Sequence, residues 1–418
     1  MKFVERYQVL FINVYWFGLA IMWNSLNTIV IPAMMIFFAP ETLKNTYLGG
    51  LKFLGLLIAM IIQPLAGAIS DNWASRWGRR RPLILLGTLG DFVFLAVLGW
   101  AGGLWAIFFG FLCLQVCANV AQGPLQGLLP DVIPAEKIGI ACSVKILMEM
   151  IGTVIAMLVI GKLIPPGTKN PTTAMLAMIL VLAVCASITL AWSREKSTLG
   201  TARQSLNIAT ILRETFLVWN VKAPQGYWWL LISRFFFLFA VTGIQSFAFN
   251  YIQDKLGAEN PVKTTADLMA AIVGALMVCA FVTGLLIERL GPKRMLLLAG
   301  IVGTAGALLL LIAHSTTLLL IYGCVFGAGT GIFLSANWSL ANNMAQGDDA
   351  GKLMGLSNFA TAGAPLVAQA LGAPIDLLNT LWQGQWMGYS MLFLLGAFVI
   401  IISTVLLVKV PEHTAPAT

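Results

Sequence analysis

The stretch from Leu54 to Trp100 reads LGLLIAMIIQPLAGAISD, then NWASRWGRRRP, then LILLGTLGDFVFLAVLGW. Two long apolar runs flank a short basic loop. Each run approaches the roughly 20 residues that an α-helix needs to cross a bilayer. Runs this long cannot be strands of a lipid-exposed sheet, because lipid offers no partners to an open backbone edge. The stretch therefore predicts two spanning helices joined by a tight hydrophilic turn. Working outward, the same pattern recurs along the chain. Spans are predicted at 8–38, 47–70, 82–101, 104–128, 138–161, 171–193, 227–251, 266–288, 294–313, 316–343, 352–375 and 386–408. The composition agrees: 59% of the 418 residues are hydrophobic and 10% are charged, against about 45–50% and about 25% in soluble proteins. That excludes an ordinary soluble enzyme, a disordered chain and a secreted disulfide scaffold. The expected fold is an all-α polytopic membrane protein with twelve transmembrane helices in two pseudo-symmetric six-helix bundles. The expected division is 1–193, a cytoplasmic linker at 194–226, a second bundle at 227–409 and a tail at 410–418. Within the linker, Ile208 to Leu217 reads either as a short amphipathic surface helix or as solvated chain.

The formal net charge of +8 is explained by orientation. With the N-terminus inside, one side collects Arg76, Arg79, Arg80, Arg81, Arg194, Lys196, Arg203, Arg213, Arg289, Lys293 and Arg294. The other side has Lys44, Lys162, Lys169, Lys255 and Lys263, with Lys52 at a span's edge. The positive-inside rule then puts both termini in the cytoplasm. The basic excess is an orientation signal and gives no support to a nucleic-acid partner. Cys113, Cys117, Cys142, Cys185, Cys279 and Cys324 form no CxxC pair and read as small core hydrophobes. His314 and His413 lie too far apart to build a metal site. No metal or cofactor is expected. The first apolar stretch lacks a small-residue cleavage site and reads as a retained span.

The two halves share landmarks. After the second span the chain reads Gly67-Ala-Ile-Ser-Asp71, then Gly78-Arg79-Arg80-Arg81-Pro82. After the eighth it reads Gly284-Leu-Leu-Ile-Glu288-Arg289, then Gly291-Pro292-Lys293-Arg294. In both, a glycine precedes an acid by four residues and a glycine with a basic cluster follows. A second echo pairs Asp131 and Gly139 with Asn343 and Gly351. Matching landmarks in two halves indicate duplication. In a polytopic protein, duplication points to a transporter in which two bundles rock about a midplane site.

On these residues the chain resembles the major facilitator superfamily. The Gly67, Asp71, Gly78, Arg79, Arg80 pattern is similar to that family's signature loop between spans two and three. The resemblance implies an alternating-access carrier with Asp71, Arg79 and Arg80 as cytoplasmic gate residues, and Glu288, Arg289 and Arg294 as a second copy. A purely topogenic role for the basic cluster is the other reading. The longer run from Asp71 to Pro82 resembles the loop of the glycoside–cation symporters, including plant sucrose–proton symporters. Gln122-Gly123-Pro124, Leu128-Leu129 and Asp131 resemble their fourth span, in which the aspartate is implicated in proton coupling. Gln126 departs from the arginine usual there, and Pro130 directly precedes Asp131. The resemblance also implies that sodium coupling would need aspartates in the second span, which lacks them.

Few polar groups remain inside the spans, and an ionisable one there is a functional-site hypothesis. Lys145 and Glu149 share a face of the fifth span, as a proton-carrying pair or a structural ion pair. Asp91, midway along the third span, is a second proton site or an interhelical hydrogen-bonding residue. Asp131 has either a coupling or a helix-end role. Arg234 in the seventh span binds substrate, pairs with an acid, or reaches for the interface. Gln115, Asn119, Gln122 and Gln126 form one stripe on the fourth span, which suits a polyhydroxylated ligand or interhelical contacts. Asn24, Asn27, Gln245, Asn337 and Asn358 extend the polar lining to spans one, seven, ten and eleven, three of which the resemblance implies, with span four, to line a central cavity. Gly323, Gly327 and Gly331 predict close helix approach.

No Walker A run, HExxH or nucleophile elbow occurs, so neither ATP-driven transport nor an enzyme is indicated. The leading expectation is proton-coupled symport of a saccharide or glycoside. A proton-driven exporter of amphipathic compounds and a non-transporting receptor on the same fold are the alternatives. The expected partners are a small polar solute, protons and the bilayer, with the chain working as a monomer. Short loops point to a prokaryotic inner membrane.

Overall fold

The computed structural model describes residues 2–133, 138–165, 167–193, 195, 197–199, 223–344 and 350–411. The Ile208–Leu217 segment, most of the linker, Gly139 and the tail beyond Pro411 lie outside what can be described in side-chain detail. The described residues are predominantly helical, with no strand among them. Eleven described helices are long and apolar enough to cross a bilayer.

The helices are α1 (Lys2–Ser25), α2 (Ile31–Phe38), α3 (Lys44–Asp71), α4 (Arg81–Gly99), α5 (Leu104–Val132), α6 (Ile138–Val159), α7 (Thr172–Trp192), α8 (Tyr227–Asp254), α9 (Pro261–Leu290), α10 (Pro292–Leu311), α11 (Thr316–Met344), α12 (Ala350–Ala368), α13 (Gly372–Leu381) and α14 (Met387–Leu406). Helices α1 and α2 form one span through a π-helical turn at Leu26–Val30. The expected span at 352–375 is α12, a 3-10 turn at Gln369–Leu371, and then α13. Pro365 lies in α12 four residues before that turn, where its ring opposes a regular helix. Pro82, Pro261 and Pro292 sit in first turns, where a missing N–H costs nothing.

The chain divides into two compact units. Unit 1 is Met1–Ala39 with Leu51–Leu217, and unit 2 is Pro40–Gly50 with Val218–Thr418. The first turns of α3 thus belong with the second unit. Inside unit 1, α1 packs on α6 and α7, and α4 packs on α5 and α7. Inside unit 2, α8 packs on α12 and α14, and α10 packs on α11 and α14. The order of contacts is the same once each half is counted from its own first span, which is the duplication seen at the level of packing.

Small residues set the close approaches. A Cβ at Gly323 would meet Leu268, and one at Gly327 or Gly331 would meet the carbonyl oxygen of Ile272 or Leu276. The glycine stripe therefore lets α11 lie almost backbone to backbone on α9. Gly123 does the same for α5 against α3, facing the Gln63 carbonyl and Gly67 N. All six cysteines are free thiols.

Candidate functional site

In unit 1 the basic loop folds around one carboxylate. Asp131, at the end of α5, accepts from Arg79 Nε at 3.1 Å and Nη2 at 2.5 Å, and from Arg80 Nε at 2.8 Å. Arg80 Nη2 lies 2.5 Å from Asp71 Oδ1, and Arg79 Nη1 lies 3.7 Å from it. Arg80 Nη1 also donates to the Gly67 carbonyl and to Ser70 Oγ, both at 3.3 Å. The Arg80 side chain is only 7% exposed, so its charge is neutralised and hydrogen-bonded where it is buried. Burial pushes the Asp131 carboxyl up, but the hydrogen bonds from Arg79 and Arg80 outweigh this and hold it below the usual range. The Asp131 contact likewise raises Arg79 above its ordinary value.

Glu195 completes this cluster. Its carboxylate accepts from the backbone N–H of Arg80 and Arg81 at the start of α4, at 3.0–3.1 Å. An acid there satisfies orphan donors and meets the positive end of the helix dipole. Burial lifts the Glu195 carboxyl above its usual range, against the pull of those N–H groups. The glycines of the loop now have reasons. Gly78 has φ +94 and a Cβ would strike Glu195. At Gly127 on α5 a Cβ would lie 2.5 Å from Arg80 Cζ, so its absence makes the slot for the guanidinium.

The second loop copy is arranged differently. Glu288, Arg289 and Arg294 are exposed and make no ion pair among the described residues. Lys293 instead donates to the carbonyls of Val408 (3.4 Å) and Val410 (2.6 Å) after the last helix.

The intramembrane groups fall into distinct settings. Asp91 on α4 is fully buried, and neither carboxylate oxygen has a hydrogen-bond partner among the described residues. One turn away, Thr88 and Tyr15 share a 2.5 Å hydroxyl contact. On α6, Lys145 Nζ lies 3.2 Å from Glu149 Oε1, both partly exposed, and 4.1 Å from the Trp16 ring centroid. Asn24 donates to Thr153 Oγ1 at 3.0 Å, joining α1 to α6, while Asn27 sits half-buried in the π turn. Along α5, Gln115 and Asn119 are buried and bonded to each other, Gln122 is half-buried and Gln126 is exposed.

In unit 2, Arg234 donates to Asn337 Oδ1 at 2.7 Å and to Thr361 Oγ1 at 2.8 Å. Gln245 is half-buried and Asn358 exposed. Sequence reasoning missed a second cluster in this unit. Lys44 pairs with Asp254 at 2.5 Å, and Tyr389 Oη donates to the same carboxylate. Asp376 accepts from Asn45 Nδ2 at 2.8 Å, and from Thr46 N at 2.6 Å and Oγ1 at 2.7 Å, capping the first turn of α3. Lys44 and Lys255 read only as topology charges in the sequence. Asp376, in the apolar run PIDLL, was the available signal.

The family described as MFS/sugar transport protein matches residues 15–363. Solute carrier family 45 member 3 of Macaca fascicularis is 31% identical over 140 residues, 30% of this chain and 25% of that protein. Sucrose transport protein SUC4 of Arabidopsis thaliana is 36% identical over 93 residues, 18% of each. The chain thus matches a quarter or less of the length of these two curated relatives. Among solved structures, a D-xylose–proton symporter superposes with a TM-score of 0.69 at 14% identity, over 98% of both chains.

Proposed function

The chain belongs to the MFS/sugar transport protein family, and from that premise we propose that it symports a saccharide or glycoside with protons by alternating access. The coarse part, a transporter of the sugar-transporter type, follows from the family. The coupling ion and substrate are our reading.

The observation that carries proton coupling is Asp91. An anionic carboxylate buried in a span without a hydrogen-bond donor costs about 2.5–3.5 kcal/mol on insertion scales. Proton uptake removes that cost, and release requires a conformation that brings water or a donor to the site. Asp91 can thus tie protonation to conformation. Glu149 is the second candidate, as another acid within a span, paired with Lys145 at 3.2 Å. Asp131 is held by two arginines, which supports a gate role with Asp71, Arg79, Arg80 and Glu195.

The sugar reading is supported by the amides within the spans, with Gln115, Asn119, Gln122, Asn24, Asn27, Gln245, Asn337 and Asn358 as substrate-binding candidates, and by the sucrose transporter similarity. On this reading the basic loops face the cytoplasm, both termini are cytoplasmic, and a single chain works in a prokaryotic inner membrane. No residue is assigned an enzymatic role. The test is uptake into proteoliposomes under an imposed inward proton gradient, across a panel of sugars. Accumulation that collapses with an ionophore is expected for at least one sugar. The reading is wrong if no sugar accumulates and none raises the melting temperature.

A further inference from the structure

Unit 2 buries a positive charge without a negative one. Arg234 on α8 is 6% exposed. The partners of its Nε and Nη1 are Thr361 on α12 and Asn337 on α11, both neutral. Its guanidinium lies 5.2 Å from the Trp338 ring centroid. No carboxylate pairs with it among the described residues. This contrasts with Arg80 in unit 1, which is equally buried and meets two acids. A buried ion is normally matched by an opposite charge, since neutral acceptors return only part of its lost hydration.

The helices that hold Arg234 carry two further idle polar atoms. Asn337 Nδ2 and Ser357 Oγ are buried without a partner among the described residues. Ser357 stands one turn before Thr361 on α12, and its carbonyl accepts the Thr361 hydroxyl at 2.8 Å. One permanent cation and idle neutral donors around it are what an anion needs. A guanidinium fork matches a carboxylate in two parallel hydrogen bonds. Beside it, the Trp338 indole is 43% exposed and offers an apolar ring face, while Asn342 and Asn358 are exposed amides on the same two helices.

We propose that the transported saccharide is acidic, of the uronate or aldonate type, and that Arg234 anchors its carboxylate while Trp338 contacts its ring. This rests on the sugar-transporter reading above and narrows it. The missing charge would then arrive with the substrate.

The test compares matched pairs in proteoliposomes of the full chain: glucuronate against glucose, and galacturonate against galactose. The acid of at least one pair is expected to be taken up with a preference of about tenfold or more, the worth of a charge-assisted hydrogen bond. Arg234→Gln should remove that preference, and Arg234→Lys should keep part of it. Wild-type thermal shifts with the same pairs decide the matter if the variants fail to fold: stabilisation by the acid alone supports the proposal. Uptake of neutral sugars with inert acids overturns it and leaves sugar transport standing. Inertness of every sugar overturns both. Neutral uptake that depends on anionic lipid in the vesicles assigns the missing charge to a headgroup, and also overturns it.

Discussion

The two copies of the repeated loop share landmark residues but are arranged differently. In the first, Asp71, Arg79, Arg80, Asp131 and Glu195 form a continuous charge network that ties the end of α3, the start of α4 and the end of α5 together. In the second, the acid and both arginines stand exposed and unpaired among the described residues. Two sequence differences account for this. The position of Asp131 is taken by Asn343, a neutral amide that cannot form an ion pair with an arginine. The four residues missing between acid and second glycine leave only Gly291 between α9 and α10, so the chain turns without a loop that could fold back. A repeat therefore predicts where a network can form, but its completing acid decides whether one does.

The comparison can be broken at its completing acid. Asp131→Asn leaves Arg80 buried with only the half-exposed Asp71, and should cost about 2–3 kcal/mol of stability, read as a lower melting temperature in detergent. The equivalent exposed change in the second copy, Arg294→Gln, should stay within about 0.5 kcal/mol. Equal effects at the two sites would remove the distinction.

The glycines give a second contrast. Gly78 and Gly291 both have positive φ, but only Gly78 faces an obstacle, Glu195. Gly291→Ala should cost about 1 kcal/mol for the backbone conformation alone, and Gly78→Ala clearly more. A pH series adds a third. The Asp131 pKa is lowered in the folded chain, so its contribution is present above the ordinary carboxylate range and fades as pH falls through the lowered value. The thermal advantage of the natural chain over Asp131→Asn should therefore shrink on acidification. Asn343→Asp, which supplies the second copy with an acid at an exposed site, should add no more than about 1 kcal/mol.

Much of this was legible in the sequence. Apolar runs of bilayer length dictate the helices, and the matching landmarks expose the duplication that the packing order repeats. The site was legible in parts. Arg79 and Arg80 read as gate residues and Asp131 as a separate coupling candidate, because 51 residues of helix and loop separate Arg80 from its partner. Glu195 was invisible in a hydrophilic linker, where an acid normally means solvation. Lys44 read only as a topology charge until the fold put the first turns of α3 against α13 and α14. Asp91 stood out on composition alone, since lipid permits so few acids.

The central claim is that Asp91 carries the proton that drives solute uptake. Its most direct test is Asp91→Asn in proteoliposomes, measuring gradient-driven accumulation and solute counterflow side by side. The account predicts that accumulation is lost while counterflow persists. Driven accumulation at the level of the natural chain would contradict it and transfer the role to Glu149.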